Sequence, residues 1–245
     1  MNKTCVVIPC FNEGGRLPVA IFENFLAQNS FTFYFVNDGS TDNTAEVLEG
    51  IKQGYPNLVK VINLPANVGK GAAVREGFLT ALATNSFKYI GYFDADLATP
   101  LEEIKYLLNT FNNNIKMVLG ARVLRLGAVV QRDAMRHYMG RIFATLANNV
   151  LEIKVYDSQC GAKIFESEIA RILFKDPFVS KWLFDLELLY RLKLFHPKHF
   201  YLYTMETPLR TWKEKGGSKI KFLDFINAPI DLLKIKRRTP GIIHP

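Results

Sequence analysis

Two aspartates, Asp94 and Asp96, stand one residue apart directly after the apolar run Tyr89–Phe93. A buried strand that ends in this way delivers both carboxylates to the rim of a sheet. Hard divalent cations such as Mg²⁺ or Mn²⁺ take oxygen ligands and commonly bridge a carboxylate to a substrate phosphate. The pair therefore predicts a metal–diphosphate site, although two surface aspartates alone are a common occurrence.

Three further polar clusters also follow short apolar runs, and they strengthen this prediction. The run 4–9 is followed by the cluster 10–13, the run 31–36 by the cluster 37–42, and the run 58–64 by the cluster 65–71. Short, nearly continuous apolar runs are typical of strands buried on both faces. Helical patterns lie between them, at 17–28, 44–52 and 72–83. The alternation predicts a parallel sheet with right-handed crossovers, whose ligands bind beyond the carboxyl ends of the strands.

Two common nucleotide-binding patterns are absent from these clusters. No G-x-G-x-x-G fingerprint follows the first run, which argues against a dinucleotide site. Lys70 lies between two glycines, but no glycine precedes it at the Walker A spacing, and Gly71 stands where Ser or Thr is required. We therefore expect a different nucleotide site, in which carboxylates and an aromatic residue hold the base and a metal holds the phosphates.

Several blocks of the sequence resemble those of one enzyme family. Residues 7–13, 36–42, 67–72 and 94–96 are similar to the signature blocks of inverting family 2 glycosyltransferases with the GT-A fold. In the second half, the blocks 131–132, 157–165, 182–189 and 212–219 are similar to those of dolichyl-phosphate β-glucosyltransferases. The related polyprenyl-phosphate mannose synthases share less of this half. The resemblance extends from about Thr4 to the C-terminus.

The resemblance implies an α/β fold, with a Rossmann-like, mostly parallel sheet flanked by helices in one domain. Residues 1–120 would bind the nucleotide sugar, and residues 121–245 would bind the acceptor. It also implies a metal-dependent transferase that moves a hexose to a polyprenyl or dolichyl phosphate. Mannose-transferring relatives often carry a glutamine two residues after the acidic pair, whereas this chain has Ala98, as the glucose-transferring relatives do. UDP-glucose is therefore the expected donor.

The same resemblance assigns donor roles in the first half. Phe11 would stack on the uracil, Asp38 would accept a hydrogen bond from the base N–H, and Lys70 would approach the diphosphate. Asp94 would contact the ribose or the metal, and Asp96 would ligate Mg²⁺ or Mn²⁺. Further expected substrate contacts are Pro9, Glu13 and Ala95. A turn role for Asp38 and a loop-ordering role for Glu13 are the alternatives.

Five arginines offer cations for an acceptor phosphate; they are Arg122, Arg125, Arg132, Arg136 and Arg141. A lipid monophosphate is already an anion at neutral pH, so it needs no strong general base. The resemblance matches Arg122 and Arg132 to acceptor-phosphate residues. The sequence also predicts a helix over 131–151, in which Arg136 would lie one turn after Arg132. Like charges at this i,i+4 spacing repel by about 0.2–0.5 kcal/mol unless they share an anion, so a shared phosphate would explain the pair. A solvated basic face is the alternative.

Two acids, Asp185 and Glu187, interrupt the apolar run 182–189. Acids in such a setting are rarely idle, because burying an unpaired charge is costly. Related enzymes with hydroxyl acceptors use an acid near this block as a base. Asp185 is therefore either a base for a soluble hydroxyl acceptor or, as we expect for a lipid phosphate, a residue that orients an arginine or the sugar. Asp157 is expected to fix its own loop.

The last block resembles a mobile loop that closes on the donor. It comprises Trp212, Gly217, Ser218 and Lys219. Its glycines allow movement, and Lys219 would meet a phosphate.

Composition is that of a folded domain, with 245 residues of which 49% are hydrophobic. Three cysteines and a first predicted strand that begins at residue 4 suggest a cytoplasmic protein without a targeting segment. No stretch reaches the roughly 18–20 apolar residues that cross a bilayer. We therefore expect the protein to meet a lipid acceptor peripherally, at the cytoplasmic membrane face, or through a membrane partner protein, or else to use a soluble acceptor.

The formal net charge of +8 favours anionic partners such as acidic membranes and phosphates. Many basic residues lie near the C-terminus: Lys213, Lys215, Lys219, Lys221, Lys234, Lys236, Arg237 and Arg238. The segment 222–235 fits an amphipathic helix at a membrane surface and equally an ordinary solvated helix. Nucleic acid is not expected as a partner, because no recognition motif accompanies the charge.

A different class of protein would be a non-catalytic module that binds a nucleotide sugar or a membrane surface. The intact acidic pair and Asp38 argue against it. A nucleotidyltransferase is also disfavoured, because its glycine-rich, arginine-containing N-terminal loop is missing.

Overall fold

The structure is a computed structural model that describes residues 3–131, 133–215 and 222–243. Within its helices, the side chains of residues 134, 136, 222–227 and 242–243 fall outside that description. The strands are β1 (Thr4–Cys10), β2 (Thr32–Asn37), β3 (Val59–Asn63), β4 (Tyr89–Phe93), β5 (Met117–Ala121), β6 (Val129–Gln131), β7 (Ala162–Glu166), β8 (Thr204–Pro208) and β9 (Thr211–Lys213). The helices are α1 (Val19–Gln28), α2 (Thr44–Gly54), α3 (Lys70–Ala83), α4 (Glu102–Leu108), α5 (Ala134–Leu151), α6 (Ser167–Leu173), α7 (Phe184–Phe195), α8 (Phe200–Tyr203) and α9 (Phe222–Ile243).

The main sheet has the strand order β3-β2-β1-β4-β7-β5-β8, and β6 pairs with β9 in a separate small sheet. Every neighbouring pair is parallel except the two that involve β7. The predicted single-domain, mostly parallel sheet is therefore confirmed. Because β7 runs in the opposite direction, its first residue, Ala162, pairs with the last residue of β4, Phe93. The loop before β7 thus reaches the edge where β4 ends.

The core has one hydrophobic layer on each face of the sheet. In β1, Cys5 and Val7 belong to the layer that includes α3, α7 and part of α9, while Val6 and Ile8 belong to the layer beneath α1 and α4. Successive side chains of a strand point to opposite faces, so a strand buried on both must be apolar throughout. This explains the continuous apolar runs of the first half.

The helix predicted from residue 131 begins only at Ala134. The prediction was wrong there because Val129–Gln131 form β6, which pairs in parallel with Thr211–Lys213 of β9. Arg132 lies outside the described residues, and Arg136 lies in α5 with its side chain outside the description. Residue 133 precedes α5, so the described helix includes Arg136 alone of the two arginines, and their shared phosphate contact stays a prediction.

The C-terminal helix extends further than the predicted segment, to Ile243. Ala228, Leu232 and Ile235 are buried in the core layer that contains α7. These three residues pack inside the protein, as in an ordinary helix of a folded domain, while Ile230 and Leu233 of the same helix are exposed. Within the described residues, no helix combines the length and hydropathy of a membrane span.

Close packing of α3 on the sheet depends on Gly77. A Cβ at this position would lie 2.4 Å from Val7 Cγ1 and 3.0 Å from Val36 Cγ2. We expect Gly77→Ala to lower the free energy of unfolding by about 1–2 kcal/mol, because the overpacking outweighs the gain in helix propensity. The matched control is Gly50→Ala in α2, where a Cβ meets nothing within 4 Å. It should raise the free energy of unfolding by about 0.5–1 kcal/mol. Urea unfolding measures both, and equal stability of the two variants would contradict the packing argument.

Candidate active site

The predicted donor residues lie beyond the carboxyl ends of three neighbouring strands. Phe11 follows β1, Asp38 follows β2 and Asp94 follows β4, and these strands are adjacent in the order β2-β1-β4. Phe11 is half-buried there. Two other expected contacts occupy the same edge: Pro9 is half-buried near the end of β1, and Ala95 is buried between the two aspartates. The structure therefore brings the predicted donor set together, while the contacts of each residue with a substrate stay predictions.

Lys70 is paired with the acidic pair. Its Nζ lies 2.6 Å from Asp94 Oδ1, at the first residue of α3. Asp96 is exposed, and its Oδ1 accepts a hydrogen bond from the backbone N–H of Ala98 at 2.9 Å. Surrounding protein atoms still desolvate this carboxylate in part, and together with the neighbouring Asp94 carboxylate they raise the pKa of Asp96. A carboxylate whose charge is disfavoured in this way gains from any cation that binds beside it.

The acidic pair suits a divalent ion that also binds the diphosphate. Mg²⁺ is usually held by one or two carboxylates, with substrate phosphates and water completing its ligands. In the described part of the chain, no group of three or more His, Cys, Asp or Glu side chains forms a metal-binding cluster. Asp94 and Asp96 supply the two carboxylates of such a site, in which substrate phosphates would be further ligands.

Gly161 makes room for the Asp94 carboxylate. The backbone N–H of Asp94 donates to the Gly161 carbonyl at 3.1 Å, and a Cβ at residue 161 would lie 1.9 Å from Asp94 Oδ2. Any other residue would thus displace this carboxylate. Sequence reasoning missed the role of Gly161, because it depends on the reversed strand β7. The available signal was a glycine directly before an apolar run, inside a block shared with the resembling family.

Asp38 fixes the loop that leads to Lys70. Its buried carboxylate accepts hydrogen bonds from the backbone N–H groups of Val68 at 2.8 Å and Gly69 at 3.0 Å. Gly69 has φ = 96°, a conformation that favours glycine. Asp38 therefore has a structural role, although it holds the loop of Val68 and Gly69 rather than its own turn. Carboxylate oxygens have further lone pairs, so a hydrogen bond from a base N–H stays compatible with these contacts.

The loop after β1 is ordered by its neighbours. The backbone N–H of Asn12 donates to Ser40 Oγ at 3.0 Å, and that of Glu13 donates to Thr44 Oγ1 at 2.8 Å. The Glu13 carboxylate accepts a hydrogen bond from Arg16 at 2.9 Å. Glu13 thus has the loop-ordering contacts that were its alternative role.

Arg122 and Asp157 form a buried pair at the end of β5. The guanidinium places Nε 2.6 Å from Asp157 Oδ2 and Nη2 2.7 Å from Oδ1, and it lies over the Trp212 ring at 5.3 Å. Burial alone would lower the pKa of Arg122, but the Asp157 carboxylate outweighs it and raises that pKa. Asp157 therefore holds the arginine that was expected to bind the acceptor phosphate, in addition to ordering its loop.

Trp212 does not belong to a mobile loop. It is buried in β9, and the next residue, Lys213, donates its backbone N–H to the Ala98 carbonyl at 2.9 Å. The prediction was wrong for this residue because its pairing partner, β6, is distant in sequence. Gly217, Ser218 and Lys219, the rest of the predicted loop, lie outside the described residues.

Asp185 lies in a buried network below the acidic pair. Lys163 Nζ lies 2.6 Å from Asp185 Oδ1 and also donates to the Cys160 carbonyl at 2.6 Å, while the Tyr92 hydroxyl donates to the same Asp185 oxygen. Burial raises the pKa of Asp185, an effect that the nearby charge of Lys70 opposes, and burial lowers the pKa of Lys163. The described partner of Asp185 is thus a lysine, rather than the arginine considered from the sequence.

Lys163 and Tyr92 were not selected from the sequence. A lysine within an apolar run was the available signal, since a buried cation requires a partner just as a buried acid does. The second acid, Glu187, pairs with Arg191 Nη2 at 2.7 Å and accepts the backbone N–H of Val179 at 2.8 Å. Its contacts fasten α7 to the loop before it, so Glu187 has a structural role.

A mostly parallel sheet with an acidic pair and a lysine at its carboxyl edge is the arrangement of a GT-A glycosyltransferase. The chain belongs to glycosyl transferase family 2, whose model matches residues 5–174. It is 35% identical to a dolichyl-phosphate beta-glucosyltransferase of Trichomonas vaginalis, over 95% of this chain and 70% of that protein. It is 32% identical to the Homo sapiens dolichyl-phosphate beta-glucosyltransferase, over 97% of this chain and 76% of that protein.

Solved structures confirm the expected GT-A fold. Glucosyl-3-phosphoglycerate synthase from Mycobacterium tuberculosis in complex with UDP has a TM-score of 0.67 at 16% identity, covering 98% of this chain and 80% of that chain. A complex of that synthase with Mn²⁺, UDP-glucose and phosphoglyceric acid has a TM-score of 0.63 at 16% identity, with the same coverage. Its membership of glycosyl transferase family 2 and its similarity to the two glucosyltransferases show that the protein is a glycosyltransferase, as expected from its sequence.

The close contact at Gly161 leads to a test of the site geometry. Gly161→Ala should displace the Asp94 carboxylate and lower kcat/KM for sugar transfer by about 10²-fold, the usual effect of a misplacement of roughly 1 Å. The thermal midpoint should change little, because only the end of a side chain has to move. Gly54→Ala, where a Cβ meets nothing within 4 Å, is the matched control. Full activity of the Gly161 variant would refute the positioning role.

The buried Lys163–Asp185 pair leads to a second test. Lys163→Met should lower the free energy of unfolding by about 3–5 kcal/mol, because it leaves a carboxylate buried without a cation. The double variant with Asp185→Asn should recover most of that loss. Without Lys163, the pKa of Asp185 in the folded state lies above its unfolded-state value of about 3.9, so the folded state binds the proton more tightly. The free energy of unfolding is therefore highest below about pH 3.9 and falls as the pH rises towards the folded-state pKa. Lys163→Met should therefore be more stable at pH 5 than at pH 8 in urea titrations, and a pH-independent loss would contradict this.

Proposed function

We propose that this glycosyltransferase moves glucose from UDP-glucose to a dolichyl or polyprenyl phosphate, with inversion at the anomeric carbon and with Mg²⁺ or Mn²⁺. The observation that carries the proposal is the 35% identity to a dolichyl-phosphate beta-glucosyltransferase over 95% of the chain. This similarity continues past residue 174, where the family model ends, and so includes much of the half expected to bind the acceptor.

On the donor side, Phe11 and Asp38 would hold the uracil, and Asp94 and Asp96 would hold the metal. The ion would offset the charge that develops on the departing UDP. Lys70, which is 2.6 Å from Asp94, is well placed to add a second positive charge beside the diphosphate. The pairing with Asp94 fixes Lys70 before the donor arrives, so little reorganisation of this cation is needed when the bond between glucose and UDP breaks.

On the acceptor side, the nucleophile would be a phosphate oxygen that is already charged, so no residue has to remove a proton. Arg122, held by Asp157 and Trp212, is oriented in advance to bind a phosphate, with Arg132, Arg136 and Lys219 as further expected contacts. Asp185 is buried and bonded to Lys163 and Tyr92, which suits a positioning residue. A general base for a hydroxyl acceptor would instead have to reach the acceptor.

The test measures UDP release from UDP-glucose with Mn²⁺ or Mg²⁺, with and without a short-chain polyprenyl phosphate. We expect release that depends on the lipid phosphate, transfer of labelled glucose to the organic phase, and loss of both in Asp96→Asn. The control variant is Asp176→Asn, because this acid lies in the loop after α6, far along the chain from the donor blocks. Turnover that needs no lipid phosphate and falls sharply in Asp185→Asn would instead support a hydroxyl acceptor.

A further inference from the structure

The outward face of α5 is apolar and lies in water. It consists of Met135, Tyr138, Met139, Ile142 and Leu146, and we call these five residues the α5 face. Met135 is 70% exposed and Ile142 is 65% exposed. At 100° per residue, the five positions fall within an arc of about 100°, which is the width of a helix face that normally meets the core.

The core contact of α5 is made by a different set of residues. Phe143, Ala147 and Leu151 are buried in the layer shared with α7 and α9. The helix therefore has two adjacent apolar faces, and only one of them is covered by the described part of the chain. A continuous exposed apolar patch of this kind usually marks an interaction surface.

The connection after β5 carries two further exposed leucines. Leu124 is exposed and Leu126 is 99% exposed, with the exposed Arg125 between them. This connection starts where β5 ends, and β5 runs in the same direction as β8 and the donor strands. It begins at Arg122, the arginine expected to bind the acceptor phosphate. The exposed leucines thus border the edge of the sheet that carries the predicted donor residues, which we call the catalytic edge.

We propose that the α5 face, together with Leu124 and Leu126, inserts into the interfacial region of an anionic lipid bilayer and holds the catalytic edge at its surface. The inference rests on the proposed lipid-phosphate acceptor, and it assigns the membrane contact to a surface other than the C-terminal helix. The α5 face is about 16 Å long at 1.5 Å per residue, so α5 would lie parallel to the bilayer plane.

Charge favours a bilayer over a second copy of this chain as the occupant. The net charge is +8, so two copies repel each other, whereas anionic headgroups attract the protein. Arg125 lies between the two exposed leucines, where a cation meets headgroup phosphates while its neighbours enter the apolar layer. Two acids, Asp133 and Glu214, lie at the N-terminal end of α5 and are not part of the α5 face. The Asp133 backbone N–H donates to the Glu214 carboxylate there.

The experiment is co-sedimentation of the full chain with vesicles of phosphatidylcholine and phosphatidylserine. The test variant is Met139→Asp/Ile142→Asp, and it should weaken vesicle binding by at least about tenfold, a difference of about 1.4 kcal/mol. The matched control is Leu202→Asp. Leu202 is 50% exposed on α8, directly before the N-terminal end of β8 and therefore at the opposite edge of the sheet. Its substitution should leave vesicle binding unchanged.

Salt and self-association separate the competing explanations. At about 1 M salt, where the Debye length is about 3 Å, inserted apolar side chains should keep the protein on vesicles. Complete release would show that binding is electrostatic only and would overturn the insertion. The proposal also fails if the double variant sediments with vesicles as the wild type does. It fails as well if the wild type does not bind vesicles and forms a dimer, while the double variant is a monomer.

Measurements of glucose transfer distinguish a failure of this inference from a failure of the proposed function. With a short, water-soluble isoprenyl phosphate, the double variant should transfer glucose at the wild-type rate, which also shows that it is folded. With a long-chain acceptor in vesicles, its rate should fall as vesicle binding falls. If the wild type glucosylates neither acceptor, the proposed function fails, while the vesicle result still decides whether the α5 face binds membranes.

Discussion

The catalytic edge of the sheet depends on a buried ion pair between Lys163 and Asp185. Lys163 on β7 and Asp185 on α7 meet beside the hydroxyl of Tyr92 on β4, so one ion pair joins three elements directly below the acidic pair. Either charge alone would be very costly at this depth, and their mutual contact offsets much of that cost only in one geometry. The pair thus constrains how β7 and α7 approach the end of β4.

Above this pair, opposite charges hold each other in place along the same edge. Lys70 is bound by Asp94, and Arg122 is bound by Asp157. Lys70 also lies near the rings of Tyr92 and Phe184, which links it to the buried pair below. A polyanionic substrate would therefore meet cations whose positions are already set, and this is the arrangement by which enzymes stabilise developing charge at low reorganisation energy.

Sequence patterns predicted the first half well and the second half in part. The runs that became β1 to β4 alternate with helical patterns, and local order is enough to place Phe11, Asp38 and Asp94 on one edge. The reversed direction of β7 and the β6–β9 pairing join residues far apart in the chain, so no local pattern reveals them. The errors at residue 131 and at Trp212 both come from the β6–β9 pairing. Gly161 was missed because Asp94, the residue whose carboxylate it makes room for, is distant in sequence.

The insertion of β7 between β4 and β5 also bears on how the chain folds as it leaves the ribosome. Until Ala162–Glu166 emerge, β4 and β5 have no strand to join them, and the apolar residues of β4 form an open sheet edge. Pairings between residues so far apart form slowly, and unpaired edges invite aggregation. During synthesis of this enzyme, the donor half is therefore complete in sequence well before its sheet can close around β4.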